Sequence, residues 1–421
     1  MNIIFDISVL GKGFYAQHSR TGIARVIENI AHSLYEYPRL NISFSAFNAI
    51  ADFIQTLKYL QIESTWNGRQ IDICPPNNKS LHTALQGIAS VYPAPEVNLF
   101  PTKALRFIIN RLNFMFSSLD ESYIVEADIF HSPYFPFPEY VKGSGKLNRF
   151  ITVYDLIPML YPEYFKFKQD HLIRKVVERI TPEDWVLAIS HSTKNDLCNI
   201  CDIDPSRVFV THLAASDMFY PCKDNTKIAQ VKKQYNIPDD PYILSLCTLE
   251  PRKNIRRTIK CFLKMVQEQN IKDLNLVLVG TKGWDFEHIF AEIEKTSSMR
   301  ERIIVTGYIP DSDLAPIYSG AMMFAYPSLY EGFGLPPLEA MQCGVPVITS
   351  NTSSLPEVVG DSGIMIDPLD EDALSHAMWR LYNSPATRSE LTSKSLLRAA
   401  NFSWENCTRQ TVDAYKTAIE S

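Results

Sequence analysis

The chain has 421 residues, 46% of them hydrophobic and 21% charged, with a formal net charge of −6. That length exceeds one ordinary core and suits two domains of about 200 residues each, and the apolar content excludes disorder as the default. The acidic balance argues against general nucleic-acid binding, and no run of about 20 apolar residues is present to span a membrane.

The N-terminal stretch MNIIFDISVL lacks a basic region and a cleavage site, so it reads as a first strand over Ile3–Phe5 and not as a signal peptide. Further strands are expected at Ile42–Phe47, Ile129–Phe130, Arg149–Val153, Trp185–Ile189 and Val208–Thr211, alternating with amphipathic helices. That alternation is the pattern of a doubly wound parallel sheet. Residues 99–118 predict a helix carrying Lys103, Arg106 and Arg111 and no acid. A buried amphipathic helix explains it first, and a helix lying on an anionic membrane surface second.

His131 ends the third strand, and a lone histidine is more often structural than chemical. Tyr154 and Asp155 follow the fourth strand, where an Asp commonly caps a helix. Ser190, before His191, reads as another cap. Eight cysteines are scattered, and only Cys198 and Cys201 form a C-x-x-C. With no second pair to complete a zinc site, they read as packed thiols in a reducing cytosol. The polar stretch Ser216–Pro241 fits a linker, with a domain boundary near residue 220.

The second half repeats the pattern, with strands expected at Tyr242–Cys247, Leu274–Val279, Ile303–Thr306, Met322–Tyr326, Val345–Ile348 and Gly363–Ile366. Arg252 and Lys253, in Thr248-Leu249-Glu250-Pro251-Arg252-Lys253-Asn254, sit just past a strand end, where open α/β sheets bind ligands. Arg holds two phosphate oxygens at once and Lys supplies a point charge. Gly280-Thr281 and Gly307-Tyr308-Ile309 end two further strands. Asp311-Ser312-Asp313 is a literal D-x-D, but it follows Pro310 and precedes Leu314, the setting of a helix cap.

The densest segment is YPSLYEGFGLPPLEAMQCGVPVIT, residues 326–349. A buried strand runs into Glu331-Gly332-Phe333-Gly334, and a helix is expected from Pro336 or Pro337. The glycines let backbone approach a ligand, and the helix N-terminus favours an anion. Glu331 and Glu339 bracket that anion site. A carboxylate beside a phosphate is repelled unless it serves another group, and sugar hydroxyls are the obvious one. Strand, glycine turn, helix and two acids describe a sugar-phosphate clamp.

Glu331 to Glu339 resembles the E-x7-E element of the retaining glycosyltransferases of family 4, whose α/β fold is GT-B, two Rossmann-like domains facing a cleft. Thr248–Asn254 resembles that family's phosphate-binding turn, Thr21-Gly22-Ile23-Ala24-Arg25 its N-terminal glycine loop, Leu355-Pro356-Glu357-Val358 the element closing the donor pocket, and Phe402-Ser403-Trp404 the start of its last helix. The resemblance implies a domain over 1–219, a nucleotide-sugar domain over 220–403, and a helix from about 404 crossing back onto the first. It implies transfer of a sugar from a nucleotide-diphosphate sugar, with retention of configuration, to a glycan or lipid-linked acceptor at the cytoplasmic side of bacterial surface-polysaccharide synthesis. The TLEPRKN turn resembles that of bacterial mannosyltransferases, which implies GDP-mannose ahead of UDP-sugars.

By resemblance Arg252 and Lys253 face the diphosphate, and Glu331 takes the sugar hydroxyls. Glu339 takes the ribose, and the amides at Phe333, Gly334 and Leu335, beside Gly332, take the sugar and distal phosphate. Gly22, Thr248, Gly280 and Thr281 would lie near the donor phosphates, and Tyr308 and Ile309 near the base. Tyr154 stands where many relatives have His, and it is an acceptor-side candidate with His131 and Asp155, the last placed to orient the acceptor hydroxyl or to assist its deprotonation. Some relatives carry a further Arg where Cys247 or Thr248 stands. No cofactor and no metal are implied. Two rivals are an epimerase or phosphorylase on the same fold and a non-catalytic sugar-nucleotide binder. The first would be exposed by consumption of free phosphate, the second by donor binding without turnover.

Overall fold

A computed structural model describes the chain except for residues 16–21, 48, 64, 65, 67, 68, 96–103, 105, 106, 110–118, 143, 144, 166–171, 284, 285 and 290–298. The helix expected over 99–118 therefore lies outside the described residues, apart from 104 and 107–109.

Among the described residues twelve strands form two sheets. The first holds β1 (Asn2–Asp6), β2 (Asn41–Ser45), β3 (Ile129–Ser132), β4 (Asn148–Val153), β5 (Trp185–Ala188) and β6 (Val208–Val210), in the order β2-β1-β3-β4-β5-β6. The second holds β7 (Tyr242–Leu246), β8 (Asn275–Val279), β9 (Ile303–Gly307), β10 (Met323–Tyr326), β11 (Val347–Ser350) and β12 (Ile364–Ile366), in the order β12-β11-β10-β7-β8-β9. Every neighbouring pair is parallel. Parallel strands are covered by helices on both faces, so they read as continuous apolar runs, and all twelve expected runs became strands. The largest offset is at β11. Pro346 has no N–H to give to a ladder, and the strand begins after it.

Two segments mark where the halves part and rejoin. The helix Asn225–Gln234, inside the expected linker, belongs with the second sheet. Tyr235 donates its hydroxyl to Asp313 at 2.7 Å, and the Cys222 N–H donates to Ser319 Oγ at 2.9 Å. The last helix, Trp404–Glu420, packs against the helix Gly22–Tyr35 of the first half. Its buried Tyr415 meets His131 Nδ1 at 2.5 Å. Among the described residues no helix is long and apolar enough to cross a membrane.

Candidate active site

In the second sheet the strand order reverses between β7 and β10, and a crevice opens at the carboxyl ends of strands at such a switch. Both chemical segments exit there. β7 runs through Thr248 into the tight turn Pro251–Lys253, and β10 runs through Ser328 to the helix Leu335–Gln342. Asn254 fastens one exit to the other. It takes a left-handed φ of 59°, which Asn tolerates, and its Nδ2 donates to the carbonyls of Pro327 at 3.0 Å and Pro368 at 2.8 Å.

The first domain closes over this crevice and leaves a cavity of about 460 Å³. Gly22, Arg25, Tyr154 and Asp155 line it on one side. Thr248, Glu250, Arg252, Lys253, Glu331, Gly332, Phe333, Gly334, Leu335 and Glu339 line it on the other, with Trp404 from the last helix.

At one end Glu331 gathers the cations. Its Oε1 accepts from Lys253 Nζ at 2.6 Å, Ser328 Oγ at 2.6 Å and the Tyr326 hydroxyl at 2.9 Å, while Oε2 lies 2.8 Å from Arg252 Nη1. Burial alone would raise its pKa, but Arg252 and Lys253 override it and hold the carboxyl at about 2. Arg252 is shared further, donating to Glu250 at 2.8 Å and to the Tyr330 carbonyl at 2.6 Å. Sequence reasoning placed cations and acid in separate roles; the structure joins them in one network. It also missed Tyr326, Ser328 and Glu250, which local motifs do not mark.

At the other end Glu339 has a weaker set. Tyr318 donates its hydroxyl to Oε2 at 2.9 Å, and burial pushes the carboxyl up to about 7 against the pull of Arg25 and Tyr318. Arg25 reaches across the cavity to Asp311 at 3.4 Å. The helix between the two acids begins at Leu335, but Pro336 and Pro337 lack N–H groups. The N–H groups free to meet a ligand at this end are those of the glycine turn, where Gly334 has a φ of 120°.

The seam beside the cavity is built from hydrogen bonds. Ser190 donates to the Gly332 carbonyl at 2.7 Å and caps its own helix by accepting from the Thr193 N–H at 3.0 Å. Tyr330 donates to Asp196 at 2.7 Å. Glu357, on the helix Leu355–Val359, accepts the N–H groups of His191 and Ser192, each at 2.7 Å. It closes the seam and is not among the residues lining the cavity.

Several expectations need correction. His131 does not face the cleft: it is fully buried between Tyr415 and Thr152 Oγ1, and burial pushes its pKa down to about 3. Asp311 and Asp313 do not cap their helix, whose N-cap is Pro310; they sit in its first turn, paired with Arg25 and Tyr235. Gly332 lines the cavity, but its close backbone approach is to the other domain, since a Cβ there would lie 2.3 Å from the Tyr154 carbonyl oxygen. Gly280, Thr281, Tyr308 and Ile309 are not among the residues lining the cavity. Gly280 packs on the Cys247 carbonyl, Thr281 accepts from the Leu249 N–H at 2.9 Å, Ile309 is buried and Tyr308 is exposed. Asp155 lines the cavity and also accepts the Ile157 N–H at 3.0 Å, but it does not cap the short helix Ile157–Leu160, whose N-cap is Leu156. Tyr154 is buried beneath the same wall.

Two parallel α/β sheets with a charged crevice between them define a GT-B enzyme fold. Residues 227–396 match the family described as glycosyl transferases group 1. The chain is 36% identical over 290 residues to O-antigen chain mannosyltransferase B of Escherichia coli, a span covering 68% of this chain and 74% of that one. Sucrose-phosphate synthase from Thermosynechococcus elongatus shares the fold with a TM-score of 0.65 at 18% identity, over 99% of this chain and 98% of that one. Anabaena Alr3699/HepE, solved in complex with UDP, does so with a TM-score of 0.65 at 14% identity, over 99% of both chains. This chain belongs to the group 1 glycosyltransferases.

Proposed function

We propose that the chain transfers a mannosyl group from GDP-mannose to a growing surface glycan or its lipid-linked precursor, with retention of configuration and without a catalytic metal. The observation that carries it is the Arg252–Lys253–Glu331 network at the β7/β10 switch, inside a cavity closed by both domains. The similarity to an O-antigen mannosyltransferase supports mannose, and a UDP-sugar is the second choice.

The charges of Arg252 and Lys253 are balanced by Glu331 and Glu250. When donor enters, Glu331 turns its acceptor capacity to the sugar hydroxyls, and the cations meet the diphosphate. Preorganised cations of this kind each contribute about 10²–10³ in rate. The bond from the anomeric carbon to the phosphate oxygen breaks, the bond to the acceptor oxygen forms on the same face, and the acceptor proton passes to the leaving phosphate. Asp155 orients the acceptor. The acids of the D-x-D are committed to Arg25 and Tyr235, which supports catalysis by the cations alone. We place the enzyme in the cytoplasm, at the inner face of the membrane that carries its acceptor.

The test is a screen of nucleotide sugars by mass spectrometry in EDTA, with the anomeric configuration of the product read by NMR. Retained activity with GDP-mannose and an axial product linkage is the expected result. Turnover with a UDP-sugar alone would reassign the donor, and activity that requires added Mg²⁺ or Mn²⁺ would reinstate the D-x-D.

A further inference from the structure

Beside the donor cavity, three side chains from different parts of the chain converge. One ligand atom each from His191, His212 and Glu357 lies within 4.8 Å of the other two. His191 opens the helix His191–Ile200, His212 follows β6, and Glu357 comes from the second domain. The arrangement is held in place. Both oxygens of Glu357 accept backbone N–H groups, and His212 Nε2 lies 3.4 Å from Glu357 Oε2. The His212 ring is flanked by Phe333, Phe402 and His191, with centroids 6.2, 5.9 and 5.6 Å away, and its backbone N–H donates to Gln410 Oε1 at 3.1 Å.

We propose that His191, His212 and Glu357 form an exchangeable site for a divalent transition-metal ion of the zinc class, which clasps the two domains together at the rim of the cavity. Helix capping accounts for the carboxylate but not for two imidazoles converging on it. Two nitrogens and one carboxylate oxygen suit a borderline-soft ion in tetrahedral geometry, with water in the fourth position. The positive end of the capped helix opposes a cation, and the carboxylate between them offsets it. Affinity is therefore weaker than in a four-ligand structural zinc site, and the ion exchanges.

The consequence for turnover follows from where the clasp sits. Phe333, whose ring packs on His212, is part of the glycine turn lining the cavity, and Ser190 beside His191 holds the Gly332 carbonyl. An ion joining these elements opposes the domain opening that releases product, so it slows kcat while supplying no chemistry to the reaction. This inference does not depend on which nucleotide sugar is the donor.

The full chain, stripped with EDTA, is titrated with Zn²⁺ alone by calorimetry and with Co²⁺ alone by visible absorption. One ion per chain is expected, with a tetrahedral Co²⁺ band. His191→Ala and His212→Ala each weaken uptake by at least about tenfold, the lower bound for disturbing even an outer partner of a metal. Because His191 is exposed, its alanine variant tests the site without burdening the fold. The ratio of turnover with and without Zn²⁺ falls below one in the wild type and returns to one in His191→Ala. Absence of stoichiometric uptake, or uptake unchanged in both variants, overturns the site. Uptake that leaves turnover unchanged overturns the clasp.

Discussion

The two ends of the cavity treat the same side chain in opposite ways. Glu331 and Glu339 are both buried, at 8% and 9% exposure, and burial pushes both toward the neutral form. Glu331 meets Lys253 at 2.6 Å and Arg252 at 2.8 Å and is held at about 2. Glu339 meets a neutral phenol at 2.9 Å and titrates near 7. Burial sets the cost of the charge, and the cations within hydrogen-bond reach decide whether it is offset. One end is a preorganised ionic cluster. The other holds its acid with a single phenol and, among the described residues, no cation within hydrogen-bond reach.

The largest expected effect tests the ionic end. On the proposed reading, in which both cations face the leaving diphosphate, Lys253→Ala and Arg252→Ala should each cut kcat by about 10²-fold or more. Steady-state rates near wild type in both would break the contrast at its strong end. Glu331→Ala should also lower turnover, yet leave free nucleotide diphosphate bound, because it releases the two cations to the phosphates.

Glu339→Ala should weaken the free nucleotide diphosphate by about 1.5–3 kcal/mol, the usual value for hydrogen bonds to a charged group, as read by calorimetry. Equal losses for Glu331→Ala and Glu339→Ala would mean that the two ends do not divide sugar from ribose. Gly332→Ala sharpens the comparison from the seam. Its Cβ would lie 2.3 Å from the Tyr154 carbonyl oxygen, so closure over the ionic end should fail. Turnover should drop by about tenfold or more with melting temperature nearly unchanged, because the clash is relieved in the open form.

The smallest effect is in pH. Glu339 titrates near 7 when folded and near 4.5 as a free carboxyl. Its raised pKa contributes stability that is full below about 4.5 and is lost as pH rises through 7. Thermal stability of the unliganded protein should fall over that window, and Glu339→Gln should flatten the slope. On the proposed assignment of Glu339 to the ribose hydroxyls, affinity for the nucleotide diphosphate should rise over the same window as the carboxylate forms. Glu331, held at about 2 when folded, contributes stability that is full above its free value of 4.5 and is lost as pH falls toward 2, so its slope is opposite in sign and dies out toward neutral pH, where only Glu339 acts. A slope that survives in Glu339→Gln would assign the titration elsewhere, with buried Asp6, also near 7 through burial, the first group to examine.

How far the sequence could be read depended on how local each feature is. The twelve strands were legible because a parallel strand buried on both faces must be an apolar run, whatever it pairs with. The Thr248–Asn254 and Glu331–Glu339 segments were legible because strand, turn and helix start follow one another in the chain. The structural reading of His131 agrees with its burial, and its alternative place on the acceptor side fails because a strand end looks the same whether the last helix covers it or not, and here Tyr415 does. Asp311 and Asp313 were misread because their partners, Arg25 and Tyr235, lie far away in sequence.

The sequence by itself determined the two-sheet architecture, the family and the positions of the charged segments, since each rests on short-range patterns of burial and turn chemistry. Only the tertiary structure decided that Arg252, Lys253 and Glu331 form one cluster, that Glu339 stands apart from it, and that His191, His212 and Glu357 meet across the seam. Those pairings depend on side chains separated by many residues and brought within a few ångströms by packing. Coulombic and hydrogen-bond energies act over that distance in space, and spacing along the chain does not record it.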